Sequence, residues 1–171
     1  MADAILIEST RGPDDEPVCL VTFGPHQWYA PVAAVRQTAL DLVTCAAYAE
    51  MMRELIVTAK VPPGTVEAFG TSLLRAAGRT RPFGSPDTID IIPAGARRPS
   101  GRREAVVLLA RGKTDGMVTA DEARTMAGQW LAAAEATESD QLVAEAYRAT
   151  HRGSGAGLER LFGYLRKLRD G

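Results

Sequence analysis

Two cysteines and two histidines are the residues of this chain best suited to nucleophilic catalysis or metal binding. Cys19 lies in an apolar run and His26 in the turn that follows it, so a folded-back strand could place a thiol beside an imidazole base. A cysteine between Val18 and Leu20, however, usually packs as a small hydrophobe. A small enzyme that uses Cys19 and His26 is therefore the third of three hypotheses, and no catalytic residue is assigned.

Metal and cofactor sites are not indicated by the sequence. Cysteine and histidine at positions 19, 26, 45 and 151 do not have the short paired spacings of zinc sites. The stretch 111–114 resembles the end of a phosphate-binding loop, but it has no glycine loop before it and precedes a short strand instead of a helix. We expect neither a metal nor a cofactor.

The densest local charge lies in the loop 95–103, between two predicted strands, which holds four arginines: Arg97, Arg98, Arg102 and Arg103. An arginine-rich hairpin tip can grip DNA phosphates, so a regulator that binds double-stranded DNA is the second hypothesis. The formal net charge of −1 gives no general attraction to nucleic acid or to an anionic membrane. The alanine- and arginine-rich composition also allows codon usage as the cause of the arginines. The corresponding loop, 11–16, is acidic, so the two loops could attract each other between copies.

Strand and helix signals alternate along the chain in a repeated order. Residues 17–47 and 104–134 both contain an apolar run, a glycine turn, a short strand and a helix, and each stretch follows a further β-branched segment. The sequence predicts an α+β fold in which two tandem βββα repeats form one pseudo-symmetric domain with additional C-terminal helices. Repeat one covers about 4–60, a connecting helix 65–77 and repeat two about 88–138, within a single domain 1–152. Residues 153–171 form a Gly-rich hinge and a C-terminal amphipathic helix.

Local signals place the helix ends and align the two helices. Pro31 suits the first helical position, and the box from Thr119 to Glu122 predicts the start of the second long helix. With one extra residue in the second turn, Leu42 corresponds to Leu131. We therefore expect both leucines in the core.

The first helix is apolar on nearly all sides, so it must be covered on more than one of them. Either the second repeat or a second copy of the chain covers it, and the C-terminal helix could dock on its own core or on another chain. The first hypothesis is a non-enzymatic binding or regulatory protein that acts by protein–protein association as a homodimer, or with another protein. The expected interface residues are Val35, Leu42, Met52, Leu161 and Leu165.

The expected location is the cytoplasm. The first residues lack the basic start and apolar run of a signal peptide, and no stretch approaches about 18 uninterrupted apolar residues. The two cysteines have no paired spacing, which favours a reducing compartment. We therefore expect a soluble protein without a membrane partner.

Overall fold

The computed structural model describes residues 5–76, 89–97, 103–150 and 155–169. Within these ranges the fold is α+β, with two three-stranded antiparallel sheets and four helices, and the predicted fold class is confirmed. The elements in chain order are β1 (Ile5–Arg11), β2 (Pro17–Phe23), β3 (His26–Ala30), α1 (Val32–Val57), α2 (Pro63–Ala76), β4 (Asp90–Arg97), β5 (Arg103–Arg111), β6 (Thr114–Thr119), α3 (Ala120–Thr150) and α4 (Gly155–Arg169). The first sheet has the order β1-β2-β3 and the second β4-β5-β6.

The second hairpin of each sheet closes through a two-residue turn. Phe23 pairs with His26 in the first sheet, and Arg111 pairs with Thr114 in the second. Each turn begins with a glycine at positive φ, 55° at Gly24 and 59° at Gly112. Such short turns favour positive φ because it matches the twist of the flanking strands. The extra residue assumed in the second turn is therefore not there.

The capping box predicted at the start of α3 is confirmed. The backbone N–H of Glu122 donates to the Thr119 hydroxyl at 3.2 Å, and the Thr119 N–H donates to the Glu122 carboxylate at 2.7 Å. These bonds satisfy N–H groups that the first helical turn leaves without partners. Pro31 lies one position before the predicted one, as the N-cap residue of α1 with extended backbone.

Each long helix packs mainly on the sheet of the other half of the chain. Helix α1 covers β4 and β5, α3 covers β1 and β2, and the two helices pack against each other. One hydrophobic core therefore includes residues from both sheets and both helices. A further contact joins the sheets, since the Arg111 Cζ lies 3.6 Å from the centre of the Trp28 ring. The tandem repeat with pseudo-symmetry stays a prediction, because the helix after the second sheet is longer than α1, at 31 against 26 residues.

The side chain of α3 that was expected in the core was wrong by one position. Trp130 is 2% exposed and belongs to the core, whereas Leu131 is 36% exposed. Leu42 is 1% exposed, as expected. A shift of one residue turns a side chain by about 100° around the helix, so the extra residue assumed in the alignment placed the wrong side chain in the core.

Helix α4 packs on the second half of α3 through a small cluster of its own. Leu158 and Phe162 are both 4% exposed and contact Ala144, with Leu165 packed at the edge. The helix begins at Gly155, inside the glycine run predicted as a hinge. Burial of these apolar side chains offsets the low helix propensity of glycine in its first turn.

Candidate functional site

The structure does not bring Cys19 and His26 together. Cys19 is fully buried, and its Sγ lies 3.1 Å from the Thr137 hydroxyl of α3. His26 is exposed at the start of β3, where it pairs with Phe23, whereas Cys19 pairs with Ala30 at the other end of that strand. Burial raises the pKa of the Cys19 thiol, while its hydrogen bond with Thr137 lowers it in part. The thiol is therefore a core group held by α3.

The arginines of the basic loop lie only partly within the described residues. Arg97 and Arg103 pair where the β4–β5 ladder ends. The side chain of Arg97 lies outside the described part of the chain, and so do Arg98 and Arg102 entirely. Arg103 lines a surface hollow of about 390 Å³ with Glu50, Arg53, Glu104, Ala105, Thr119, Ala120 and Asp121. Three carboxylates in this hollow offset its two arginines. Among the described residues, the surface around Arg103 is therefore of mixed charge.

DNA binding by the loop arginines stays a prediction with a direct measurement. If four arginines each neutralise one phosphate, the affinity for a mixed-sequence duplex should fall about 100-fold between about 50 and about 200 mM salt. Fluorescence anisotropy with a labelled duplex measures this fall. Replacing Arg97, Arg98, Arg102 and Arg103 by alanine should abolish the binding. A duplex that does not bind at the lower salt concentration contradicts the hypothesis.

The acidic loop 11–16 is engaged within the chain. Arg11 forms an ion pair with Asp15, and the Glu16 carboxylate lies 3.0 Å from Arg148 of α3. The Gly12 N–H donates to the Glu16 carbonyl at 2.8 Å and closes the loop. Two of its carboxylates thus have cationic partners inside the chain. Asp15 and Glu16 keep 54% and 51% of their side-chain surface exposed, so the attraction to the basic loop of another copy stays a prediction.

The three α1 residues of the expected interface lie inside the chain's own core. Val35, Leu42 and Met52 are at most 2% exposed, and β4, β5, α2 and α3 pack around α1. Of the two α4 residues, Leu165 packs at the edge of the α3–α4 cluster and Leu161 is partly buried. Val35, Leu42 and Met52 are therefore covered by the chain itself, which was one of the two alternatives for α1. Any association with a second copy must use side chains other than Val35, Leu42 and Met52, and a role for Leu161 and Leu165 stays a prediction.

Two ion pairs connect the outer sides of α1 and α3. Arg36 pairs with Glu138, with Nη1 to Oε1 at 3.3 Å, and Arg124 pairs with Glu50, with Nη1 to Oε1 at 2.8 Å. These pairs require α1 and α3 to run antiparallel. The four side chains keep between 38% and 47% of their surface exposed.

The pKa values of these four groups shift in the direction that favours the charged form of each group. The hydrogen bond to Arg36, and then its charge, lower the pKa of Glu138, and the hydrogen bond to Arg124 is the main cause that lowers the pKa of Glu50. The carboxylates in turn raise the pKa of both arginines, and Glu135 adds to the effect at Arg36. All four groups are therefore charged at neutral pH.

Apolar side chains occupy the centre between the two ion pairs. Val43 lies seven residues after Arg36 and seven before Glu50, and Leu131 lies seven after Arg124 and seven before Glu138. Side chains seven apart lie on nearly the same side of a helix, so the antiparallel register places Val43 opposite Leu131. Val43 is 43% exposed, and Leu40 beside it is 56% exposed. We call this surface, with its apolar centre and four charged corners, the helix-pair face.

Sequence reasoning missed the helix-pair face although a signal was present. Arg36 and Glu50 are fourteen residues apart, and so are Arg124 and Glu138. The same distance, 88 residues, separates Arg36 from Arg124 and Glu50 from Glu138. The alignment with an extra turn residue paired Arg36 with Thr125 and hid this match.

Metal-binding clusters and membrane-spanning helices are absent from the described ranges. No group of three or more His, Cys, Asp or Glu residues there could hold a metal ion. No helix in the described part is both long and apolar enough to cross a membrane. Comparison with known proteins finds no matching family model, no matching curated protein and no matching solved structure.

Proposed function

We propose that this chain is a non-enzymatic binding protein that acts by protein–protein association and forms a homodimer. The observation that carries the proposal is the apolar centre of the helix-pair face, where Leu40, Val43 and Leu131 are between 36% and 56% exposed. Interfaces combine an apolar centre, depleted in charge, with a polar rim. The helix-pair face has this arrangement, with the two ion pairs at its rim.

We further propose that the domain is a duplicated βββα unit with an internal two-fold axis. Spacings of 88 residues support this, since they relate Gly24 to Gly112 in the turns, Leu42 to Trp130 in the core, and Arg36 to Arg124 in the ion pairs. The exchange of helices between the sheets is also reciprocal. A single chain built this way resembles a fused dimer, and its two-fold axis passes between Val43 and Leu131.

Sedimentation equilibrium at tens of micromolar tests the homodimer. The chain has a mass of 18.3 kDa, so we expect a species of about twice that mass. Dilution to well below one micromolar should shift the distribution toward the monomer if the association is reversible. A monomer throughout this concentration range contradicts the proposal.

A further inference from the structure

We infer that the dimer forms by face-to-face stacking of two helix-pair faces; the inference rests on the proposed homodimer and names its surface. In the stacked arrangement the helices of both copies lie in the middle and the sheets lie outside. Val43 and Leu131 of one copy then pack against the same residues of the other near the two-fold axis. Such an interface is isologous, as in most homodimers.

The charge pattern of the helix-pair face is complementary to itself. Around its four corners the charges alternate in sign, in the order Arg36, Glu138, Arg124 and Glu50. Turning a second copy over about an axis along the helices places its Arg36 on Glu138 and its Glu50 on Arg124. Turning it about an axis across the helices places its Arg36 on Glu50 and its Glu138 on Arg124. Either arrangement puts opposite charges on each other at all four corners.

The corner side chains can form ion pairs with a second copy while they keep their partners within the chain. Each retains about two fifths of its surface exposed, so each carboxylate and guanidinium has unused hydrogen-bonding groups. Exposed ion pairs are individually weak, with a net effect of about 0–1 kcal/mol. We therefore assign orientation to the corners and affinity to the apolar centre.

The helix-pair face supplies about half of a standard interface. Its corners are fourteen residues apart on each helix, so it is about 21 Å long, and two packed helices with axes 8–10 Å apart are roughly 20 Å wide in total. The area between the corners is therefore about 420 Å², against the roughly 800 Å² that each partner buries in a standard interface. Contacts along the whole of α1, which has 26 residues and is about 39 Å long, would bring the buried surface to that size.

The outer face of the first sheet is one competing surface. It exposes Leu6 at 63% and Tyr29 at 49%. The described residues of this sheet, 5–30, do not carry the alternating charged corners that make the helix-pair face complementary to a second copy. Tyr29 therefore provides a control of similar exposure to Val43.

The first test compares Val43→Arg with Tyr29→Arg by sedimentation equilibrium. Arginine at position 43 places an unpaired charge at the centre of the interface, so we expect dimer affinity to fall by at least about 100-fold. Tyr29→Arg should retain the wild-type affinity. Because both sites are exposed, both variants should keep the wild-type circular dichroism. A dimeric Val43→Arg variant together with a monomeric Tyr29→Arg variant would overturn the inference but leave the homodimer in place, whereas a monomeric wild-type chain would contradict the homodimer itself.

The second test changes only the charges at the corners. The double variant Arg36→Glu and Arg124→Glu makes all four corners negative, so we expect at least about 10-fold weaker dimerisation from like-charge repulsion. Adding Glu50→Arg and Glu138→Arg restores the alternating pattern with reversed signs and should restore the dimer. A dimer that is equally stable in both variants contradicts the assigned orientation of the two faces.

Discussion

Trp130→Ala is expected to lower the free energy of unfolding by about 3–5 kcal/mol, while Leu131→Ala should change it by less than about 1 kcal/mol. Trp130 is 2% exposed in the shared core, and its removal leaves a large cavity. Leu131 is 36% exposed, so its truncation leaves little cavity. Urea unfolding of dilute, monomeric protein measures both changes without a contribution from association.

Trp130→Phe is the control for the first expectation. It keeps much of the apolar volume and removes a buried indole N–H that has no hydrogen-bond partner within the described part of the chain. We therefore expect a clearly smaller loss of stability than for alanine. If Leu131→Ala destabilised the protein as much as Trp130→Ala, α3 would be rotated relative to the structure.

Neither cysteine should react with a thiol reagent while the protein is folded. Burial raises the pKa of the Cys45 thiol from 9.0 to about 12, so at about pH 8 its thiolate population falls about 1000-fold, before any steric protection. Cys19 is fully buried, and burial raises its pKa as well. An aromatic disulfide reagent releases one coloured thiolate for each protein thiol that reacts. The absorbance of this product should not rise in native buffer, and in concentrated guanidinium chloride it should correspond to two thiols per chain.

Single-cysteine variants assign each thiol in this experiment. Cys19→Ala and Cys45→Ala each leave one cysteine, and both proteins should be protected when folded. Fast labelling of Cys19 in the folded Cys45→Ala protein would place that thiol at the surface. It would also return Cys19 and His26 to consideration as a catalytic pair.

Local features of the sequence were sufficient to predict the elements. The strands follow from short β-branched runs bounded by turn residues, and the start of α3 follows from Thr119 and Glu122, whose cap forms within one helical turn. Leu42 was correctly placed in the core because its apolar neighbours recur at helical spacing. The candidate site was not predicted, although its charged residues repeat at a constant distance.

The sequence by itself determined the α+β class, the order of strands and helices and the requirement that α1 be covered on more than one side, because these depend on residues close in the chain or on the distribution of apolar residues around one helix. Only the tertiary structure decided that each long helix covers the other half's sheet and that Trp130 enters the core in place of Leu131. It also decided that Arg36 meets Glu138 across the helix pair. These outcomes depend on residues about a hundred positions apart. Their relative position is fixed by packing of the whole core, and no local propensity encodes it.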